Sequence, residues 1–187
     1  MPKSASNKNV FKNFFLPMIV LVAICIVIGS AMAAVNMITA PKIAETHAKK
    51  EQEALSVVVP NNQGFDQVEL DKEYDSVVAL YADKGSDALA VMLSVKGYDS
   101  SNPMSVAVGF DEDGKITKCS VIACTGETKG IGSKVSNESF LSRFYGKNDV
   151  SSVDTISGAT ISSSAFKEAV EEAISAVNNY RAAEVTK

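Results

Sequence analysis

Two short stretches hold residue types that could do chemistry. The first is Asp154-Thr155-Ile156-Ser157-Gly158-Ala159-Thr160-Ile161-Ser162-Ser163-Ser164. Ser157 and Gly158 allow a sharp backbone turn, Ala159 leaves room for a bulky group to approach, and Thr160 presents a hydroxyl where a helix begins. The first N–H groups of a helix lack intrahelical acceptors and the helix dipole favours negative charge there, so a phosphate joined to Thr160 or resting beside it would be stabilised. Plain N-capping by a Ser/Thr cluster accounts for the same pattern, and on that basis Thr160→Ala would cost about 1 kcal/mol as a lost cap. The second stretch is Glu127-Thr128-Lys129-Gly130-Ile131-Gly132-Ser133-Lys134. Its alternating glycines permit close backbone approach to a flat ligand, Lys134 offers a cation, and Glu127 and Thr128 could orient a polar edge. Neither the GxxxxGK[ST] nor the GxGxxG spacing is present, and an ordinary surface loop has the same composition.

Much other chemistry is excluded by what the chain lacks. Of 187 residues one is histidine, His47, and it follows the most hydrophobic stretch; a Ser-His-Asp or Cys-His hydrolase, or a metal site of two imidazoles, has no partner for it. The three cysteines are Cys25, inside that stretch, and Cys119 with Cys124. On one strand a separation of five puts Cys119 and Cys124 on opposite faces, which disfavours a local disulfide, and both read as small buried residues. Eighteen Lys+Arg against 22 Asp+Glu give a net charge of -4 with no basic stretch, which argues against nucleic acid as a partner. The acidic run Asp111-Glu112-Asp113-Gly114 lacks the spaced ligands and distal Glu of an EF-hand, and reads as a hairpin turn.

The elements that would position the two stretches can be read from periodicity. Leu16 to Val35 is an uncharged apolar run of about 20 residues, long enough at 1.5 Å per residue to cross a hydrocarbon core of roughly 30 Å. Lys3, Lys8 and Lys12 with Ala31-Met32-Ala33 would also suit a cleaved signal peptide, but the run continues through Met37 and Ile38 into a helical segment, which favours a retained anchor. The short basic N-terminus points to an N-terminus in the cytoplasm and the following domain outside it. The expected organisation is a cytoplasmic N-terminus (1–13), a transmembrane helix (14–38), a helical stalk (39–60) ending at Pro60, and an extracytoplasmic domain (61–187). Within that domain Val77–Tyr81, Ala88–Val95, Ser105–Phe110 and Ile116–Ala123 read as strands of an antiparallel meander. Ser139–Tyr145 reads as a short helix. Phe166, Ala169, Val170, Ala173, Val177 and Tyr180 mark one face of a long terminal one. The fold class is α+β: a single N-terminal transmembrane helix, then an antiparallel sheet with flanking helices.

With these residues in order, the chain resembles a known family. DTISGATISS is similar to the [ST]GAT flavinylation motif of the FMN-binding domain found in the G subunit of Rnf-type ion-translocating oxidoreductases and in the C subunit of Na⁺-translocating NADH:quinone reductases. ETKGIGSK is similar to the ETPGLG element of the same family, upstream and in the expected order, with Lys129 where proline is usual. The N-terminal anchor, EALSVVVP, the KGYDSSNPMSVAVGFDEDGKI block and SFLSRFYGKND agree, so that the resemblance covers nearly the whole chain.

The resemblance implies that Thr160 carries covalent FMN through a phosphoester bond, installed from FAD by a separate flavin transferase. Asp154, Ser157, Gly158 and Ala159 would form the surface that the transferase recognises. Glu127, Thr128, Gly130, Ile131 and Gly132, with Lys134 in the same loop, would lie against the flavin. It further implies an electron-transfer subunit in the cell membrane, not catalytic alone, whose partners are integral membrane and flavoprotein subunits of a complex coupling ferredoxin/NAD electron flow to Na⁺ or H⁺ movement. The alternatives are the quinone-reductase C subunit, a free-standing extracytoplasmic flavoprotein, and, from another class, a cofactor-free pilin-like anchored binding protein.

Overall fold

The alternating apolar segments form a five-stranded antiparallel sheet in the computed structural model, which describes residues 15–70 and 72–185. The basic N-terminus expected over 1–13, and Phe14, lie outside the described residues. Helix α1 (Leu16–Val58) runs through the expected span and stalk without interruption, with Pro41 inside it. It is long and apolar enough to cross a membrane, and its Leu, Ile and Val side chains from Leu16 to Ile43 are exposed. The chain divides into two compact units after Ala48, and the site lies in the second.

That second unit is built on the meander β1 (Phe65–Val68), β2 (Val77–Asp83), β3 (Leu89–Val95), β4 (Met104–Phe110) and β5 (Ile116–Ala123), in sheet order β1-β2-β3-β4-β5. Alternate side chains face opposite sides. Leu89, Val91, Leu93 and Val95 of β3, with Met104, Val106, Val108 and Phe110 of β4, face the larger core. Helices α2 (Glu138–Leu141) and α3 (Thr160–Val185) cover it. The other side carries small residues, Ala79, Ala90 and Ala107 with Met92, and receives the end of α1 through Ala54, Leu55, Val58 and Val59. Contact there is close enough that a Cβ on Gly109 would collide with the Val58 carbonyl, which also accepts a hydrogen bond from Thr117 Oγ1 at 2.6 Å. Both faces are therefore buried, which explains why β3 reads as a nearly continuous apolar run.

Two further contacts fix α3. Near its start Phe166 meets Phe140 and Phe144 with ring centroids 5.5 and 5.3 Å away, and those two rings meet edge-on at 5.2 Å. Near its end Arg181 donates to the carbonyls of Asp87, Asp111 and Glu112, tying the β2–β3 and β4–β5 turns to the helix. The acidic run 111–114 is a hairpin turn: Asp111 Oδ1 accepts the N–H groups of Asp113 and Lys115 at 3.0 and 2.9 Å, and Gly114 has φ +79°.

Three details differ from the sequence expectation. Strand β1 has no counterpart in it, because an edge strand with Asp66 and Gln67 exposed shows no apolar alternation. The expected helix 139–145 spans only Glu138–Leu141 before turns that end at Gly146, φ +72°, although Phe140, Leu141 and Phe144 are all buried. Cys119 and Cys124 do not face opposite sides: a register shift at Ser105/Val106, opposite Val121–Ala123, lets both pack on the larger core. Cys119 is buried there and its thiol pKa is pushed up by desolvation, while Cys124, just past β5, is half-buried. Both are free thiols. Phe166→Ala should remove the ring shared by α2 and α3 and lower stability by about 3–5 kcal/mol, read as a fall in the denaturation midpoint of the detergent-solubilised chain.

Candidate functional site

The two chemistry-bearing stretches meet at the start of α3. The turn before the helix closes with Ala159 N–H donating to the Ile156 carbonyl at 2.9 Å, and Gly158 takes φ +80°. The first i→i−4 bond runs from Ser163 N–H to the Ala159 carbonyl at 3.0 Å, which leaves the N–H groups of Thr160, Ile161 and Ser162 without intrahelical acceptors.

The hydroxyls of this cluster have different assignments. Ser163 is fully buried, accepts from Ile156 N–H at 3.0 Å and donates to the Ala159 carbonyl at 2.8 Å, so its hydroxyl ties the preceding turn to the first turn of the helix. Ser162 is buried and donates to Glu127 Oε2. Thr160 is exposed, and among the described residues its Oγ1 makes no hydrogen bond. The expectation of about 1 kcal/mol for Thr160→Ala as a lost cap is therefore corrected: this hydroxyl caps nothing.

The loop from Glu127 folds over the same place. Gly130, φ +74°, donates its N–H to Ser133 Oγ at 2.9 Å, and Ile131 and Ser133 donate to the Thr128 carbonyl at 3.1 and 3.2 Å. Gly132 opens a 3₁₀ turn (Gly132–Ser136). The Glu127 side chain is buried behind this loop, where Oε1 accepts Tyr98 N–H at 3.0 Å and Oε2 accepts the Ser162 hydroxyl. Gly97 and Gly132 flank the carboxylate, and a Cβ on either would collide with it. Three segments distant in sequence are thus joined by one side chain.

Between them lies an open cleft of about 490 Å³ lined by Tyr98, Thr128, Ile131, Gly132, Gly158, Ala159, Thr160, Ile161 and Ser162. Of the residues singled out from sequence, Thr128, Ile131, Gly132, Gly158, Ala159 and Thr160 line it. Glu127 stands behind the wall. Gly130 gives the loop its turn, Ser157 is exposed in the preceding turn, and Lys134 is exposed on the 3₁₀ segment away from the lining. Asp154 is exposed and its backbone carbonyl accepts from Arg143 Nη1 at 3.1 Å. Tyr98, Ile161 and Ser162 are not among the site residues that the sequence reading singles out; the available signal is Tyr98 immediately after a glycine at the end of an apolar strand. His47, exposed on α1, is not in the cleft lining, and among the described residues there is no group of three or more His, Cys, Asp and Glu placed to hold a metal ion.

The lining of this cleft has the chemistry that would suit a planar ligand with a phosphate arm. Bare glycine backbone and apolar side chains leave room for a flat surface, while a free hydroxyl and unpaired N–H groups would suit an anion. Among known proteins, residues 97–175 match the FMN-binding domain family. The matched segment runs from Gly97 into α3 and so contains every residue of the cleft lining. Most of the chain is similar to the G subunit of the proton-translocating ferredoxin:NAD(+) oxidoreductase complex of Clostridium ljungdahlii, 28% identical over 167 residues that cover 83% of this chain and 87% of that protein. With the apolar α1, it is a membrane protein.

Glu127→Gln keeps the shape but sets an amide NH₂ against one of the two donors. The expected loss is about 1–3 kcal/mol, measured as a lowered urea midpoint of the detergent-solubilised chain.

Proposed function

We propose that this chain is the FMN-carrying electron-transfer subunit of a membrane-bound Rnf-type complex, which couples electron flow between ferredoxin and NAD⁺ to the movement of Na⁺ or H⁺. The observation that carries this is Thr160: a free, exposed hydroxyl at a helix start, in the SGAT turn of an FMN-binding domain. In this reading Thr160 Oγ1 holds FMN by a phosphoester bond made by a flavin transferase, which recognises the turn from Asp154 to Ala159. The similarity to the clostridial G subunit over most of the chain supports membership of such a complex, with integral membrane and flavoprotein subunits as partners.

Bound FMN would supply the redox chemistry, accepting and passing on electrons singly or in pairs. The chain's own residues do the rest. The N–H groups at the start of α3 offer the phosphate donors and a favourable dipole. Gly132 and Gly158 let the ligand approach the backbone, and Ile131 and Ile161 shed water from it. A covalent tether keeps the cofactor from diffusing away on the non-cytoplasmic side, where we place residues 61–187; 1–13 would lie in the cytoplasm and 14–38 in the bilayer. The lysines at 3, 8 and 12 before the apolar run support that orientation.

The decisive experiment is intact mass and in-gel flavin fluorescence after full denaturation, on chain co-expressed with a flavin transferase. The expected result is a gain of one FMN less one water on the peptide holding Thr160. Thr160→Ala should lose it while keeping the wild-type denaturation midpoint, and Thr160→Ser should retain part. Denaturation-resistant flavin on Thr160→Ala protein would overturn the assignment.

A further inference from the structure

Tyr98 has no evident structural task. The residue is 66% exposed, and among the described residues its side chain makes no hydrogen bond. Its backbone, by contrast, is held from both sides. Glu127 Oε1 takes the Tyr98 N–H at 3.0 Å. On the other side Asp99 accepts Ser101 N–H at 2.9 Å and Asn102 Nδ2 at 2.7 Å, while the Asn102 carbonyl sits so close to Gly126 that a Cβ there would collide with it. A fixed platform therefore presents a bare aromatic ring to solvent.

The place where it does so is not random. Five large hydrophobic side chains after Lys49 are exposed among the described residues: Val57, Val78, Tyr98, Ile131 and Ile161. The last three line the Thr160 cleft, so most of the domain's large exposed apolar side chains are gathered at one opening. Exposed apolar groups that cluster on a rigid scaffold mark surface awaiting a partner. An exposed aromatic ring on a fixed backbone, in a cleft that Gly132 and Gly158 also line, suits a flat conjugated ring, because offset stacking adds attraction beyond the area buried.

Resting on the Thr160 reading, we propose that Tyr98 stacks on the isoalloxazine ring as its solvent-side cover, with Glu127 as the residue that positions it. Thr160 would hold the phosphate end, and Tyr98 would shield the ring from water at the cleft mouth. A phenol in van der Waals contact with a flavin also quenches its fluorescence by donating an electron to the excited ring, which gives the contact a spectroscopic signature.

The test uses the full chain in detergent, co-expressed with a flavin transferase, as wild type, Tyr98→Ala and Tyr98→Phe. Fluorescence after denaturation reports attachment. Native fluorescence relative to that value, and its quenching by iodide, report the cover. Attachment should be equal in all three. Tyr98→Ala should raise the native yield several-fold and increase the iodide quenching constant; Tyr98→Phe should raise the yield, since phenylalanine is a poor electron donor, yet keep the shielding from iodide. An unchanged yield and iodide constant in Tyr98→Ala would sink the cover role. So would a folded Tyr98→Ala chain that is never flavinylated, because a cover is not needed to make the bond. Wild type without denaturation-resistant flavin would instead bring down the Thr160 reading, and this inference with it.

Discussion

The site depends on where one buried carboxylate goes. Glu127 accepts from Tyr98 N–H with one oxygen and from the Ser162 hydroxyl with the other, between two glycines that leave room for nothing larger than hydrogen. A buried carboxylate without donors is costly, so the segment after β3, the glycine loop and the first turn of α3 must converge for it to be satisfied. Gly97 and Gly132 are consequences of this convergence as much as aids to ligand approach. Tyr98, Thr128 and Thr160 come to share one cleft because of a group that does not itself line it.

The rest of the domain supplies the frame for that junction. The Phe140, Phe144 and Phe166 rings seat the start of α3, and Arg181 fastens its far end to two hairpin turns, so the helix that presents Thr160 is held at both ends. The sheet is covered on its other side by the last turns of α1, admitted closely by Gly109 and the alanines of β2, β3 and β4. The ordering of the cleft walls therefore draws on both cores.

Much of this is legible from the residues. Strands β2 to β5 announce themselves by β-branched and apolar runs broken at turn residues, and Asp111–Gly114 is a turn because the Asp111 carboxylate and a left-handed glycine suit one. The helix start at Thr160 can be read from the glycine and hydroxyl pattern before it. Three things cannot. Strand β1 is a polar edge without alternation. The common side of Cys119 and Cys124 depends on a register shift that no local pattern signals. The engagement of Ser162 by Glu127, 35 residues away, is a tertiary fact, and so the division of labour among neighbouring hydroxyls stays hidden: the local pattern assigns capping to Thr160, whose hydroxyl makes no hydrogen bond among the described residues, while Ser163 ties the preceding turn to the helix.

That division of labour separates the hydroxyls by access. In an unfolded chain the segment from Thr155 to Ser164 offers six hydroxyls on nearly equal terms. Once the domain has folded, Ser162 and Ser163 are withdrawn into its interior, and Thr160 stands exposed at the helix start. Any enzyme that esterifies this turn then meets a choice already narrowed by the fold. A transferase that met the folded domain would find Thr160 exposed beside Thr155 and Ser157, with Ser162 and Ser163 out of reach, whereas the nascent chain would offer it all six.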